Sequence, residues 1–329
     1  MDDSSIVGAL HDAHASGVVV QRTVENYLST IKRIKRLFVD NAVAAAAVAV
    51  STYEVLTRPG VTYGVLLHAI DSYKTLEVTV AHVLGIMKHC GLRDTPQFCL
   101  WRGIYALLQE DVREARDSGV PTPRQEAGRL DWNAVMDTNE RLKKELPPGS
   151  MDALLSAMYV DVPPRRQADY HRVFLLTLPE QEARALQEPA HIDLTVTPPR
   201  IHIRQFKTVR HQGAYEAPLP PAIVVVLRAS LQRDPREYLF VQADGRPFER
   251  VASFTAYHNR ALKRLFGPGV SNNSLRHALA THVNAAPRTL LERKSVAHAM
   301  GHAVVTNMQY ALAAAPPLCD RPSPHPSRV

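Results

Sequence analysis

The chain has 329 residues, of which 45% are hydrophobic, and it carries a formal net charge of +7 with a sequence pI of about 9.4. This length allows two domains with a core each. No apolar run is long enough to cross a bilayer, the acidic N-terminus does not resemble a signal peptide, and three cysteines without metal-ligand spacing favour a reducing, intracellular setting.

The charge is unevenly distributed along the chain. Residues 1–128 carry 13 basic and 14 acidic side chains, whereas residues 129–329 carry 26 and 18. The second half is therefore where we expect a polyanion to bind. A basic protein that its charge merely keeps soluble would have the same composition, so charge alone does not decide for nucleic acid.

The first half is predicted to be helical. Apolar residues recur at helical spacing over 23–41, where Thr23 is a suitable N-cap. The other face of this helix is basic and is either a solvated face, a nuclear-import signal or a phosphate-contacting surface, formed by Lys32, Arg33, Lys35 and Arg36. Further helices are predicted over 61–71, 72–90 and 97–117. The segment 118–128 contains Gly, Pro and Ser and breaks the pattern.

The second half changes periodicity. Two helices, at 131–146 and 150–160, precede β-rich segments at 171–178, 191–196, 200–206 and 212–220, of which the last two form a predicted hairpin. Helical patterns then return over 222–233, 252–267, 273–284 and 289–300. This order predicts a mainly α protein with a small antiparallel sheet, an α+β fold rather than a doubly wound sheet.

Several polar residues of the second half fit their local pattern poorly. Each follows a helix break, ends a strand or lies on an apolar helix face: Arg165 and Arg166 after Pro-Pro, Lys207 at a strand end, Arg276 among leucines, His302 after Gly301, and Tyr310 in a short helix. There is no metal-ligand pattern among them. Taken singly, each has a structural explanation, for example an arginine paired with a buried carboxylate.

Together these residue types suit one chemistry. The pentacovalent transition state of a phosphodiester carries extra negative charge, which two arginines can stabilise. A lysine can protonate the leaving 5′ oxygen, and a tyrosine can act as the nucleophile and form a covalent phosphotyrosine.

The spread "PPR … K … LRHALATH … MGHAVVTNMQY" resembles the tyrosine recombinases, the phage-integrase family, whose members carry Arg, Lys, His-x-x-Arg, His or Trp, and Tyr in this order. "LRHALATH" and "MGHA" are near-standard forms of the second and third motifs. The first motif and the "FKT" at the lysine look like the variant form found in mobile elements and large DNA viruses. The resemblance covers roughly residues 20–312.

The resemblance implies a role for each residue of this set. Tyr310 would be the nucleophile, Arg276 the second arginine, His302 the third-motif histidine and Lys207 the hairpin lysine. The first arginine would be Arg165, with Arg166 as the alternative. His277 would be structural.

Two departures from the family pattern concern the last two motifs. Asn273 stands where the family usually has histidine, and an amide can hold a phosphate oxygen but cannot move a proton at neutral pH. The spacing from His302 to Tyr310 is also one residue shorter than the commonest family spacing.

Composition, pattern breaks and the resemblance together predict a domain plan. It comprises a flexible N-terminus (1–19), a helical SAM-like core-binding domain that clamps DNA (20–120), a linker (121–128), a catalytic domain (129–312) and a disordered Pro-rich tail (313–329).

The implied function is a site-specific recombinase or integrase that cleaves and rejoins double-stranded DNA through a 3′-phosphotyrosine, without cofactor or metal. The expected assembly is a homo-oligomer, a dimer on one site and a tetramer in synapsis, inside the cell (in the nucleus of a eukaryotic host) and away from membranes. The alternative is a catalytically silent DNA-binding protein of the same fold, which Asn273 favours.

Overall fold

The computed structural model describes residues 2–40 and 50–311, and the chain divides into two units, Met1–Ser118 and Gly119–Val329. The tail predicted to be disordered, 313–329, lies outside the described residues. The segment predicted as a linker contains a short helix, Pro123–Ala127. In the described ranges, no helix is long and apolar enough to cross a membrane.

The first unit is built from helices that pack around one apolar core. These are α1 (Asp3–Ala15), α2 (Gln21–Asp40), α3 (Thr52–Thr57), α4 (Pro59–Ala69), α5 (Tyr73–His89) and α6 (Pro96–Asp117). The buried residues of helix α2 follow helical periodicity. Val24, Ile31, Ile34 and Phe38 are separated by seven, three and four positions, so they lie on one face of the helix.

We expected residues 1–19 to be flexible, but most of this segment forms helix α1. Asp2 caps this helix by accepting a hydrogen bond from the Ser5 amide at 2.8 Å. Ile6 and Leu10 lie one turn apart and are fully buried. Only two large apolar residues fix the helix, so the periodic signal was too short to reveal it.

The second unit surrounds a four-stranded sheet with helices. The strands are β1 (Val173–Leu176), β2 (Ala190–Asp193), β3 (Arg200–Ile203) and β4 (Tyr215–Pro218). The helices are α7 (Pro123–Ala127), α8 (Trp132–Glu145), α9 (Met151–Val160), α10 (Glu182–Gln187), α11 (Val209–Gln212), α12 (Pro221–Arg233), α13 (Val251–Phe266), α14 (Asn272–Ala285), α15 (Leu290–Ala299) and α16 (Val304–Tyr310). Short 3₁₀ turns occur at Gln167–Tyr170 and Pro179–Gln181.

The strands lie in the order β1-β2-β3-β4. The predicted hairpin is present, since β3 and β4 pair antiparallel with Ile203 opposite Tyr215. β2 and β3 are also antiparallel, but β1 and β2 are parallel, with Val173 opposite Ala190. The parallel pair was not anticipated. It arises because the chain between them turns back through α10 before it enters β2. The fold class is mainly α with a small sheet, as predicted.

Helix α14 is central to the unit because it carries both core and polar residues inward. Ser271 and Ser274 form a capping box that sets where the helix starts. Leu275 and Val283 join the core that also contains sheet residues such as Ile192. The start of α14 therefore fixes which face of the helix the following polar residues occupy.

Gly149 supplies a stability test in the turn before α9. Its φ is +70°, and a Cβ at this position would lie 2.5 Å from the carbonyl oxygen of Ala229. Gly149→Ala is expected to lower the free energy of unfolding by about 2 kcal/mol or more. Alanine is strained at this positive φ, and its Cβ would also clash with the backbone of α12 at Ala229. Urea denaturation measures the change.

Gly245 is the control, because it lies in a turn of the same unit with a φ of +79° and nothing lies within 4 Å of a Cβ there. Gly245→Ala carries only the backbone strain, so it should cost about 1–2 kcal/mol. Equal losses in the two variants would show that the contact with Ala229 has no energetic effect.

Candidate active site

Arg276 lies inside the second unit with 2% of its surface exposed. Its Nη1 donates to the carbonyl oxygens of Pro164 at 2.7 Å and Met300 at 2.9 Å, and its Nη2 contacts Nε2 of His302. Burial lowers the pKa of Arg276 to about 10, against the opposing effect of Tyr310. The guanidinium therefore remains charged at neutral pH.

Arg165 follows Pro163 and Pro164 in the irregular segment after α9 and is equally buried. Its Nε donates to Asp169 Oδ2 at 3.2 Å, and its Nη1 donates to the carbonyl of Ala299 at 2.9 Å. Its guanidinium carbon lies 4.8 Å from the ring centre of Phe206 and 4.3 Å from that of Tyr215. Within the described part of the chain, its buried Nη2 has no hydrogen-bond partner.

Arg166 faces the same region but differs from Arg165, because it is half-buried and its Nη1 donates to the carbonyl of Gly301 at 3.2 Å. The same oxygen accepts a hydrogen bond from Thr208 Oγ1 at 3.1 Å. Gly301 has a φ of +68°, and a Cβ there would lie 3.0 Å from Arg165 Nη2. Both arginines of the first motif thus contact the turn that precedes His302.

His302 is 2% exposed and directly follows this turn. Because its Nε2 faces a donor on Arg276, its proton is expected on Nδ1, and this buried atom has no partner among the described residues. Burial lowers the pKa of His302 to about 3, and the charges of Arg276 and Arg166 lower it further in the same direction. The ring is therefore neutral at physiological pH.

Tyr310 is the last residue of α16 and is half-buried. Its ring centre lies 4.3 Å from that of His302 and 5.6 Å from the guanidinium carbon of Arg276. It also stacks on His277, with centroids 4.5 Å apart and planes 17° apart. The structure thus brings Tyr310 against Arg276 and His302 despite the shortened spacing noted in the sequence.

Lys207 is exposed at the start of the β3–β4 connection. No described residue forms a hydrogen bond or ion pair with its side chain. Both of its neighbours contact the cluster, however, since Phe206 lies over the guanidinium of Arg165 and Thr208 donates to the Gly301 carbonyl. The backbone of Lys207 is therefore held beside the cluster while its side chain faces solvent.

Asn273, the residue at the usual histidine position of the second motif, makes no described hydrogen bond with the guanidinium cluster. Asn273 is exposed and lines a cleft of about 550 Å³ with Ser271 and His277. The preceding residue, Asn272, is the inward one: it is 6% exposed and donates from Nδ2 to the carbonyl of Arg165 at 2.9 Å. Asn272 and Asn273 precede Arg276 by four and three positions, so both lie near its side of the helix, and Asn272 is the one that packs inward.

The cluster carries more positive than negative charge. It contains the guanidiniums of Arg165, Arg166 and Arg276, and the one carboxylate bonded to them within the described part is that of Asp169, 3% exposed. Burial raises the pKa of Asp169, against the lowering effect of Arg165 and Arg166. With His302 neutral, a net positive charge remains in a largely buried place, and an anion would compensate this charge.

Sequence reasoning missed four contacts of this cluster. The pairing of Asp169 with Arg165 had only their closeness in sequence as a signal, since Arg165 precedes the 3₁₀ turn Gln167–Tyr170 and does not lie in a helix. The contacts of Phe206 and Tyr215 with Arg165, and of His277 with Tyr310, had none, because they join distant segments. Among the residues that the structure describes, no group of three or more His, Cys, Asp or Glu could hold a metal ion.

The basic face of α2 belongs to the first unit. Two of its four predicted DNA-contacting residues pair with acids, Lys35 with Asp3 at 2.6 Å and Arg36 with Asp40 at 3.6 Å. Lys32 and Arg33 are exposed, and no described residue forms an ion pair with them.

Comparisons with known proteins give little beyond the fold. No protein-family model matches the chain, and no curated protein matches it in sequence. Among solved structures, the chain is similar to XerA recombinase, with 13% identity over 94% of both chains and a TM-score of 0.38. A likeness at this level does not establish a family.

The buried state of His302 predicts a specific pH dependence. Its pKa of about 3 in the folded chain lies below the ordinary value of 6.5. Between these two pH values the histidine is protonated in the unfolded chain and neutral in the folded chain. Its contribution to stability therefore falls as pH drops below 6.5. Between pH 7 and 5, the parent should lose about 1–2 kcal/mol more unfolding free energy than His302→Gln.

Urea denaturation at the two pH values measures this difference, and exposed His211 is the control. His211→Gln should lose as much stability on acidification as the parent. If His302→Gln also loses as much as the parent, His302 is not buried as a neutral ring.

Proposed function

We propose that the chain is a site-specific DNA recombinase of the tyrosine type, which cleaves and rejoins strands of duplex DNA through a 3′-phosphotyrosine. The observation that carries the proposal is a cluster of three guanidiniums, two of them buried, with one paired carboxylate, lying against the ring of Tyr310. An excess of buried positive charge beside a phenol matches a reaction in which a tyrosine attacks a phosphodiester.

Two donors of the cluster are available for the phosphate. Arg165 Nη2 and His302 Nδ1 are buried and have no partner within the described residues, although burial normally requires one. Both can donate to non-bridging oxygens. A phosphate would also offset the cationic charges that lower the pKa of His302, so that pKa would rise in the complex.

The proposed reaction exchanges one ester for another. The oxygen of Tyr310 forms a bond to phosphorus and the bond to the 5′ oxygen breaks. Lys207, whose side chain faces solvent beside the cluster, protonates the 5′ oxygen, and water takes up the phenol proton. Arg165 and Arg276 stabilise the added negative charge of the transition state. The reverse reaction, with a different 5′ hydroxyl, completes strand exchange.

The rest of the proposal concerns the DNA partner. The first unit would contact the duplex through Lys32 and Arg33, the two residues of the basic face without a described acidic partner. Strand exchange needs two cleaved duplexes held together, so the proposal includes a homo-oligomer on DNA.

Tyr310→Phe tests the nucleophile, because it removes only the phenolic oxygen. On a nicked duplex that traps the covalent intermediate, the parent should become attached to DNA and Tyr310→Phe should not. Binding of intact duplex should be unchanged within about twofold, with the same salt dependence, because the phosphate contacts persist. Denaturing gel electrophoresis measures attachment.

Tyr257 provides a control, because it is a half-buried tyrosine of α13 that makes no described contact with the cluster. Tyr257→Phe should form the covalent complex as the parent does. Attachment of DNA to Tyr310→Phe would overturn the assignment of the nucleophile.

A catalytically silent DNA-binding protein of the same fold is the second candidate. It is favoured by two observations: Arg276 already donates to the carbonyls of Pro164 and Met300, and Asn273 lies outside the cluster. In this case the parent would bind duplex DNA with a steep salt dependence but would never attach to the nicked substrate.

The two adjacent asparagines give a matched pair. Asn272→Ala removes the hydrogen bond to the carbonyl of Arg165 and should lower the attachment rate by roughly tenfold or more, because Arg165 loses a fixed position. Asn273→Ala changes an exposed side chain and should stay within about threefold of the parent. Single-turnover attachment measures both. A larger loss in Asn273→Ala than in Asn272→Ala would show that Asn273 turns to the phosphate in the complex.

A further inference from the structure

We propose that His277 is a positioning residue that holds the nucleophile Tyr310 through two contacts. This inference rests on the proposed function, in which Tyr310 is the nucleophile. The family resemblance implies only a structural role for His277, and the cluster of guanidiniums does not include it.

The two contacts act on different parts of Tyr310. The imidazole lies almost parallel to the phenol ring, with centroids 4.5 Å apart and an angle of 17° between planes. Its Nδ1 lies 2.7 Å from the backbone carbonyl oxygen of Tyr310 and donates to it. The stack fixes the side chain and the hydrogen bond fixes the backbone of the same residue, so both position and direction are determined.

Tyr310 needs such a hold because its helix is weakly anchored. α16 has seven residues and no side-chain cap at its N-terminus, and Asn307 is its one buried residue. Val305 and Met308 are 66% and 52% exposed. Asn307 anchors the middle of the helix, through hydrogen bonds to Met300 and Asn284. Tyr310 lies nearly one turn further on, where helix ends fray.

The contacts of His277 exclude a role in proton transfer. Its Nδ1 is engaged with a backbone carbonyl, and its Nε2 faces the amide nitrogen of Gln125 at 3.5 Å. Burial lowers the pKa of His277, so the ring is neutral at neutral pH. No described hydrogen bond joins this ring to the hydroxyl of Tyr310. His277 therefore acts through the placement of Tyr310 and not on the reacting atoms.

Three substitutions separate the two contacts. His277→Phe keeps a flat ring for the stack and removes the donor, His277→Asn keeps a donor near the position of Nδ1 and removes the ring, and His277→Ala removes both. His282, half-buried one turn and a half further along α14 and without a described contact to Tyr310, gives the control variant His282→Ala.

The first measurement is the single-turnover rate of attachment to a nicked duplex, at increasing DNA concentration and well below the melting temperature of each variant. His277→Ala should lower the maximal rate by roughly 10- to 100-fold, the effect of a misplaced reacting group, and leave the half-saturating DNA concentration within about twofold. His277→Phe and His277→Asn should each recover part of the rate, and His282→Ala should match the parent. A parent-like rate in His277→Ala, or a loss confined to the half-saturating concentration, would overturn the proposal.

The second measurement does not depend on catalysis. Hydrogen exchange of the amides at 304–311 should be at least about tenfold faster in His277→Ala than in the parent, while exchange in α12 stays unchanged. Unchanged exchange at 304–311 would refute the hold on Tyr310. If the parent never attaches to DNA, the proposed function fails, and the exchange result still decides whether His277 holds Tyr310.

Discussion

Two guanidinium groups, those of Arg165 and Arg276, lie inside the second unit with 2% of their surface exposed. Moving such an ion out of water costs several kcal/mol unless hydrogen bonds replace its hydration. Most of the replacements are backbone carbonyls of two segments, Pro164 and the stretch 298–300. These hydrogen bonds require three segments to meet at one place: helix α14, the end of helix α15 and the chain after α9. The packing of these segments beside the sheet depends on that requirement.

Carbonyl groups solvate a cation but do not cancel its charge. Asp169 balances one guanidinium, and no other described carboxylate pairs with Arg165, Arg166 or Arg276. Two buried donors also remain unused, one on Arg165 and one on His302. The described residues therefore leave part of the positive charge and two buried donors without a partner. A bound anion would supply both the missing negative charge and the missing acceptors, and this is the basis of the proposed function.

Much of this architecture could be predicted from the sequence, and the failures have physical causes. Helices such as α2 carry long apolar periods, and the strands carry β-rich runs, so the α+β class was predictable. The parallel pairing of β1 with β2 was not, because strand direction depends on the path of the connection. Arg276 and His302 stood out as polar residues in apolar surroundings. The difference between Asn272 and Asn273 is a single helical position, which only the packing of α14 decides.

The carbonyl oxygen of Gly301 accepts hydrogen bonds from both Arg166 and Thr208. One belongs to the segment after α9 and the other to the strand hairpin that carries Lys207, so a single atom connects two parts of the chain that are otherwise distant in sequence. A displacement of this peptide group would be felt by both at once. The turn at Gly301 therefore links the arginine side and the lysine side of the cluster, since moving this one peptide group would break a hydrogen bond on each side.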